Sequence, residues 1–215
     1  MRKLWIDNQH VEGPAGSRGV IDPATGQVFT EAAWGDLSTA EQAVEAADRA
    51  FRTTWRKTPA NERAELLRGA ARKLRENLEE LARDLTLETG RTIRKNRGYV
   101  EWSAQCFDYY AEIGRRHSGR VIPSPEASQL SLVMKVPLGV VAAIVPWNYP
   151  LLLLAWKLAP ALAAGNTVVV KPATFTSWST LSFAKLFEDF PPGVINFVTG
   201  PGSQVGDYLV RHHKV

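Results

Sequence analysis

Asn148 is the residue of this chain best suited to chemistry, because it lies in a turn bracketed by two prolines, Pro146-Trp-Asn-Tyr-Pro150, after the apolar run 140–145. Its carboxamide NH₂ can donate to an oxygen that gains negative charge as a nucleophile adds to a carbonyl, and such a donor helps only if held in place beforehand. Pro146 and Pro150 restrict the backbone on either side and supply that rigidity. An asparagine at a helix entry, bonding its own backbone, would occupy the same place. Trp147 offers an indole N–H, a donor only, or else an anchor for the helix that follows. Lys171 ends a second apolar run, 167–170, where an unpaired ammonium is costly to bury. It must therefore reach solvent, a carboxylate or a ligand. Lys157, nine residues after Asn148, reads as half of a structural ion pair.

These groups need strands and helices to carry them. The runs 140–145 and 167–171 read as strands joined by a helix over 150–164, the crossover that puts strand carboxyl ends against a ligand. A helix over 177–189, a strand over 194–198 and a helix near 205–212 follow. Upstream, Asp22-Pro-Ala-Thr-Gly26 is a hairpin turn between two short strands. Ser38 and Glu41 have the spacing of a capping box, predicting a helix start there. A second helix begins near Thr58-Pro59, buries Leu67, Leu74, Leu78, Leu81 and Leu85, and ends at Gly90. A third covers 93–116. Residues 129–136 alternate like a strand.

Composition excludes several classes. Basic residues exceed acidic ones by 26 to 22, and the excess is spread along helices without the aromatic interleaving of a nucleic-acid binder, so no nucleic acid is expected. The longest apolar stretch is broken by Pro146, Asn148, Pro150, Lys157 and Asn166, which argues against a membrane partner. One cysteine, Cys106, and no apolar leader point to a reducing, cytoplasmic setting. Cys106 sits on an aromatic helix face and reads as a small buried hydrophobe. The histidines lack metal-ligand spacing, so no metal is expected.

The proline-bracketed turn, the crossover and the strand ending in Lys171-Pro-Ala173 resemble, in this order, the aldehyde dehydrogenase family. The resemblance runs from residue 4 to the last residue and covers the family's amino-terminal part. It implies an α/β fold: an open parallel dinucleotide-binding sheet flanked by helices, with an antiparallel helical hairpin and a β arm that pairs subunits into a homo-oligomer. The chain stops before the positions where the family places its nucleophilic cysteine and general-base glutamate, so the catalytic domain is expected to be absent and the chain alone inactive. The expected divisions are 1–118, strands and helices of the cofactor domain; 119–138, the oligomerisation arm; and 139–215, the βαβ part.

The implied activity is oxidation of a small-molecule aldehyde to an acid with NAD or NADP. Asn148 becomes the oxyanion donor and Lys157 a group that assists proton movement. Ile144, Pro146, Trp147, Lys171, Thr174, Gly202 and Gly206 become the cofactor groove, with Trp147 near the phosphates and Lys171 on the adenosine ribose. Gly-x-Gly-x-x-x-Gly at 200–206 departs from the usual dinucleotide fingerprint. Thr174 stands where many members carry a glutamate for the ribose hydroxyls, which leaves room for a 2′-phosphate. Tyr149 and Trp156 are implied to line the aldehyde tunnel, with Glu101 and Trp102 at its mouth. Cys106-Phe-Asp-Tyr-Tyr-Ala111 resembles the aminoaldehyde and betaine-aldehyde branch; a general aliphatic or aromatic aldehyde is the other reading. A non-catalytic dinucleotide-binding or dimerising fragment, or a basic interaction protein, stand as alternatives.

Overall fold

A computed structural model describes residues 1–215. Strand β1 (Leu4–Ile6) turns into β2 (Gln9–Val11) through Asp7 and Asn8, both at positive φ (55° and 59°). That is the backbone twist a two-residue hairpin requires, and short polar side chains tolerate it. The hairpin β3 (Ser17–Asp22) and β4 (Gln27–Ala33) forms around the expected turn, with a register irregularity at Val20/Ile21.

Helix α1 (Leu37–Thr53) starts earlier than its Ser38/Glu41 spacing predicts. Asp36 is the N-cap: its carboxylate accepts from Thr39 N–H at 3.1 Å, and its own N–H donates to the Thr39 hydroxyl at 2.9 Å. Ser38 donates to the same carboxylate at 2.6 Å instead of capping. An ionised acceptor outcompetes a hydroxyl at a helix amino end.

The single helix expected from 59 to 90 is two, α2 (Ala60–Glu76) and α3 (Leu78–Thr89). Asn77 breaks it by turning its carboxamide onto Lys73 O at 2.8 Å, the local competition that makes asparagine a poor helix-interior residue. The leucine stripe runs across the break because both helices bury it against α4 (Ile93–Ile113). Beyond α4, β5 (Arg120–Ile122) and β6 (Ser131–Val133) pair antiparallel as a separate ribbon, shorter than expected, with Val121, Leu132 and Met134 exposed. The arm rejoins the core where Asn166 Oδ1 accepts from Leu138 and Gly139 N–H at 2.7 and 3.0 Å.

The core sheet has the order β2-β1-β9-β8-β7. β7 (Val140–Ile144), β8 (Thr167–Lys171) and β9 (Ile195–Phe197) are parallel, as expected, while β1 joins β9 antiparallel through Trp5 and Phe197. The sheet is thus mixed at one side, because a hairpin needs no crossover and can extend an edge directly. Along β8 the side chains alternate between two cores. Val168 and Val170 join the one that contains α5 (Pro150–Ala163), and Val169 joins the one that contains α1. Helices cover both faces.

The helix expected over 177–189 is α6 (Ser177–Ser182) followed by a 3₁₀ stretch, Phe183–Phe187. The tighter turn lets Phe183, Ala184, Leu186 and Phe187 all bury. At the end, a wide π turn, Gly202–Gly206, leads into α7 (Asp207–Arg211). No helix is long and apolar enough to cross a membrane.

Candidate active site and cofactor groove

The parallel register pairs Ile144 with Lys171, so β7 and β8 end side by side. Val145 N–H donates to Lys171 O at 3.1 Å and prolongs the pairing by one bond. The chain then leaves the sheet through exposed Pro146 and Trp147, and Pro150 opens α5 at a position that needs no N–H. Asn148 is half-buried between them, and its Oδ1 accepts from Tyr149 N–H at 3.1 Å. The backbone bond and the chemical role are therefore compatible: the oxygen is tied and the NH₂ remains free to donate.

Lys171 is 3% exposed. Its ammonium donates to Pro172 O at 2.8 Å and has no carboxylate partner; the lysine ion pairs belong to Lys3, Lys73, Lys185 and Lys214. Burial pushes its pKa below the ordinary lysine value. Gly206 packs against its stem, where a Cβ would come 3.6 Å from Lys171 Cδ and Cε, whereas a Cβ at Gly202 would meet open space. A cavity of about 370 Å³ brings Trp147 and Thr174 together, lined also by Glu88, Phe175 and Thr176. Five of the seven expected groove residues thus fall into two groups, Ile144, Lys171 and Gly206 at the strand ends and Trp147 and Thr174 across the cavity, while Pro146 is exposed on the turn and Gly202 borders open space.

The two residues named for the tunnel also part. Trp156, 52% exposed, shares an open groove of about 420 Å³ with Trp102, Tyr109 and Cys106. Tyr149 turns away to Tyr99 and Arg91, and only Leu152 borders both places. Glu101 does not face the groove mouth as expected. Arg75 holds it with bonds of 3.0 and 3.2 Å from the α2 side, because an opposite charge is nearer there. Lys157 is exposed and has no ion pair, so the structural pairing expected for it is not formed. Burial pushes the Cys106 thiol up to about 11, and its Sγ lies 3.5 Å from Ala155 O, which leaves it a poor nucleophile at neutral pH.

Sequence reasoning missed Arg91, Tyr99 and Glu88. Arg91 counts among the basic residues weighed only in the overall charge, and only its place after a helix-ending glycine marks it. Glu88 is 5% exposed although it lies on a charged helix. Its carboxylate accepts from Trp178 and Ser179 N–H at 2.8 and 2.9 Å, in the first turn of α6. Burial raises its pKa to about 7 despite those donors and the Arg2 cation.

Known proteins share this fold and sequence. Betaine aldehyde dehydrogenase of Staphylococcus aureus in complex with NAD+ superposes with a TM-score of 0.96 at 37% identity, over 100% of this chain and 44% of that one. Betaine aldehyde dehydrogenase of Bacillus subtilis is 38% identical over 99% of this chain, and hydroxyisobutyraldehyde dehydrogenase of Mycolicibacterium austroafricanum 46% identical over 99%. The chain spans 44% and 42% of those relatives' lengths, respectively. Residues 10–215 match the sequence model of the aldehyde dehydrogenase family, and the chain belongs to that family.

Proposed function

We propose that this chain is the cofactor-binding and oxyanion-stabilising portion of an NAD(P)-dependent aldehyde dehydrogenase. The observation that carries the reading is Asn148, its carboxamide oxygen tied by Tyr149 N–H and its NH₂ free, at the mouth of a βαβ unit whose next strand ends in a buried, uncompensated Lys171. The residues fit a dinucleotide. An ammonium with donors to spare suits ribose hydroxyls or phosphate, Gly206 leaves room over its stem, and Trp147 offers an indole N–H. The nicotinamide, when bound, accepts the hydride.

Asn148 stabilises the oxygen of the aldehyde carbonyl as a thiolate adds to it, and Lys171 orients the cofactor. Lys157, exposed and free of ion pairs, is available to assist proton movement near the site. Cys106 is not the thiolate, so the chain alone is inactive and the nucleophile comes from elsewhere in the enzyme. The aromatic groove at Trp156 and Trp102 supports an aldehyde with an apolar body. A cationic aminoaldehyde keeps the aromatic faces but loses Glu101 as its counter-charge. The exposed β5–β6 ribbon supports subunit pairing, since an isolated two-stranded ribbon is marginal in water.

In a full-length enzyme carrying this segment, Asn148→Ala is expected to lower kcat roughly 10²–10³-fold, the usual cost of losing one oxyanion donor. An unchanged kcat would remove Asn148 from the mechanism. Isothermal titration of the 215-residue chain with NAD and NADP, repeated with Lys171→Met, tests the cofactor assignment separately.

A further inference from the structure

The turn that carries Asn148 is braced by a group from another segment. Gly90 closes α3 in the left-handed region, φ 69°, and the chain turns so that Arg91 meets residue 149. The Arg91 guanidinium carbon lies 4.1 Å from the centroid of the Tyr149 ring. Its Nη1 donates to the Tyr99 hydroxyl at 3.2 Å. Tyr99 in turn meets the Tyr149 ring edge to face, with centroids 5.0 Å apart. The Arg91 backbone is itself fixed, because buried Asn96 donates to the Thr86 hydroxyl at 2.9 Å and to Arg91 O at 3.4 Å. Asn148 borders the same small cavity.

We propose that Arg91, with Tyr99, is a positioning residue for the Asn148 carboxamide, acting through the Tyr149 ring and backbone. The N–H that ties Asn148 Oδ1 belongs to Tyr149, so any swing of that residue also swings the carboxamide. A planar guanidinium can stack on one ring and donate to another hydroxyl at once, which an ammonium does not reproduce. The Arg91 cation also holds the Tyr149 phenol below the ordinary tyrosine range. The inference rests on the reading of Asn148 as oxyanion donor and assigns what keeps that donor in place.

The test is a double-mutant cycle in a full-length enzyme carrying this segment, with kcat and the KM for NAD measured for Arg91→Ala, Asn148→Ala and the pair. Arg91→Ala is expected to lower kcat roughly tenfold, since misplacing a catalytic group by a fraction of an ångström is costly, with KM for NAD unchanged. In the Asn148→Ala background the same change should add no further loss. Full kcat in Arg91→Ala, or an undiminished loss in that background, overturns the proposal. Asn148→Ala with full kcat overturns the oxyanion reading and the proposal with it. Should Arg91→Ala fail to fold, Tyr99→Phe and Arg91→Lys take its place. In the 215-residue chain each should lower the NMR order parameter of the Asn148 side-chain amide, and an unchanged value in folded variants overturns the proposal.

Discussion

Glu88 and Lys171 are both charged side chains buried to within a few per cent, and their surroundings differ in one respect. Glu88 receives two backbone N–H bonds from α6, and the Arg2 cation, itself paired with Asp84 at 2.6 Å, adds a smaller attraction. Lys171 receives one carbonyl and nothing of opposite sign. The fold therefore completes the valences of the carboxylate and leaves those of the ammonium open. A buried polar group satisfied by the chain itself is part of the architecture, whereas an ammonium with donors to spare leaves them open to a ligand. The two groups should respond to mutation and to pH with opposite signs.

The largest effect is expected at Glu88. Glu88→Ala leaves two buried N–H donors at the start of α6 without acceptors, at ~1–3 kcal/mol each, and so should destabilise the chain by about 3–4 kcal/mol. Urea unfolding monitored by circular dichroism measures it. A loss below about 1 kcal/mol would mean that water replaces the carboxylate and that Glu88 is no more structural than Lys171.

Titration shows what the two groups share, since burial disfavours the charged form of each. With a folded pKa of about 7 against an ordinary 4.5, native Glu88 holds a proton that the unfolded chain has released. Its contribution to stability is thus fully present below pH 4.5 and is lost as pH rises through about 7, by on the order of 3 kcal/mol. Lys171 runs the other way. Its lowered pKa means that the unfolded chain holds the proton longer, so its burial penalty is relieved as pH rises towards the ordinary lysine value. Unfolding free energy measured between pH 4 and 8 should show a falling component that Glu88→Gln removes. A profile identical in wild type and Glu88→Gln would show that folding leaves the Glu88 pKa unshifted.

Cofactor choice offers a smaller effect in the neighbouring cavity. Thr174 faces Trp147 there and carries no charge. Thr174→Glu should shift preference towards NAD over NADP by on the order of 1–2 kcal/mol, through repulsion of a 2′-phosphate partly screened by water. Binding of the two cofactors compared before and after the substitution decides it. Preferences that do not move assign the choice to another residue.

How much of this was legible in the sequence depended on whether a group's partners are local. The βαβ core was, because hydrophobic runs, a proline at a helix start and a terminal lysine all act within their own segment. β8 runs over the predicted residues, Thr167–Lys171. Asn148 was singled out on the same kind of signal, since its two flanking prolines act within its own turn. Helix boundaries failed where side chains compete for the backbone, as Asp36 does with Ser38 and Asn77 with the helix interior. The antiparallel β1 beside β9, the turning of Glu101 to Arg75 and the Arg91–Tyr149 stack all join distant segments. No spacing in the sequence records such pairings. Glu88 shows the limit, since its helix position looks like any solvated carboxylate until α6 docks on it.

The smallest effect on stability is the one that most directly tests the opening comparison. Lys171→Met keeps a flexible stem of similar length and removes an ammonium that the fold does not neutralise. It leaves Pro172 O without its donor, a cost of about 1 kcal/mol, and relieves a desolvation penalty of at least that size. The chain should therefore be as stable as the wild type, or more stable by up to about 1 kcal/mol, equivalent to roughly 2–4 °C in Tm for a chain of this size. NAD affinity should fall by at least tenfold in the same variant, about 1.4 kcal/mol of lost interaction. Scanning calorimetry and titration with NAD measure the two quantities on one preparation. A Lys171→Met chain that is both destabilised and unimpaired in NAD binding would make Lys171 a structural group like Glu88, and the distinction between completed and open valences would fail at the residue that defines it.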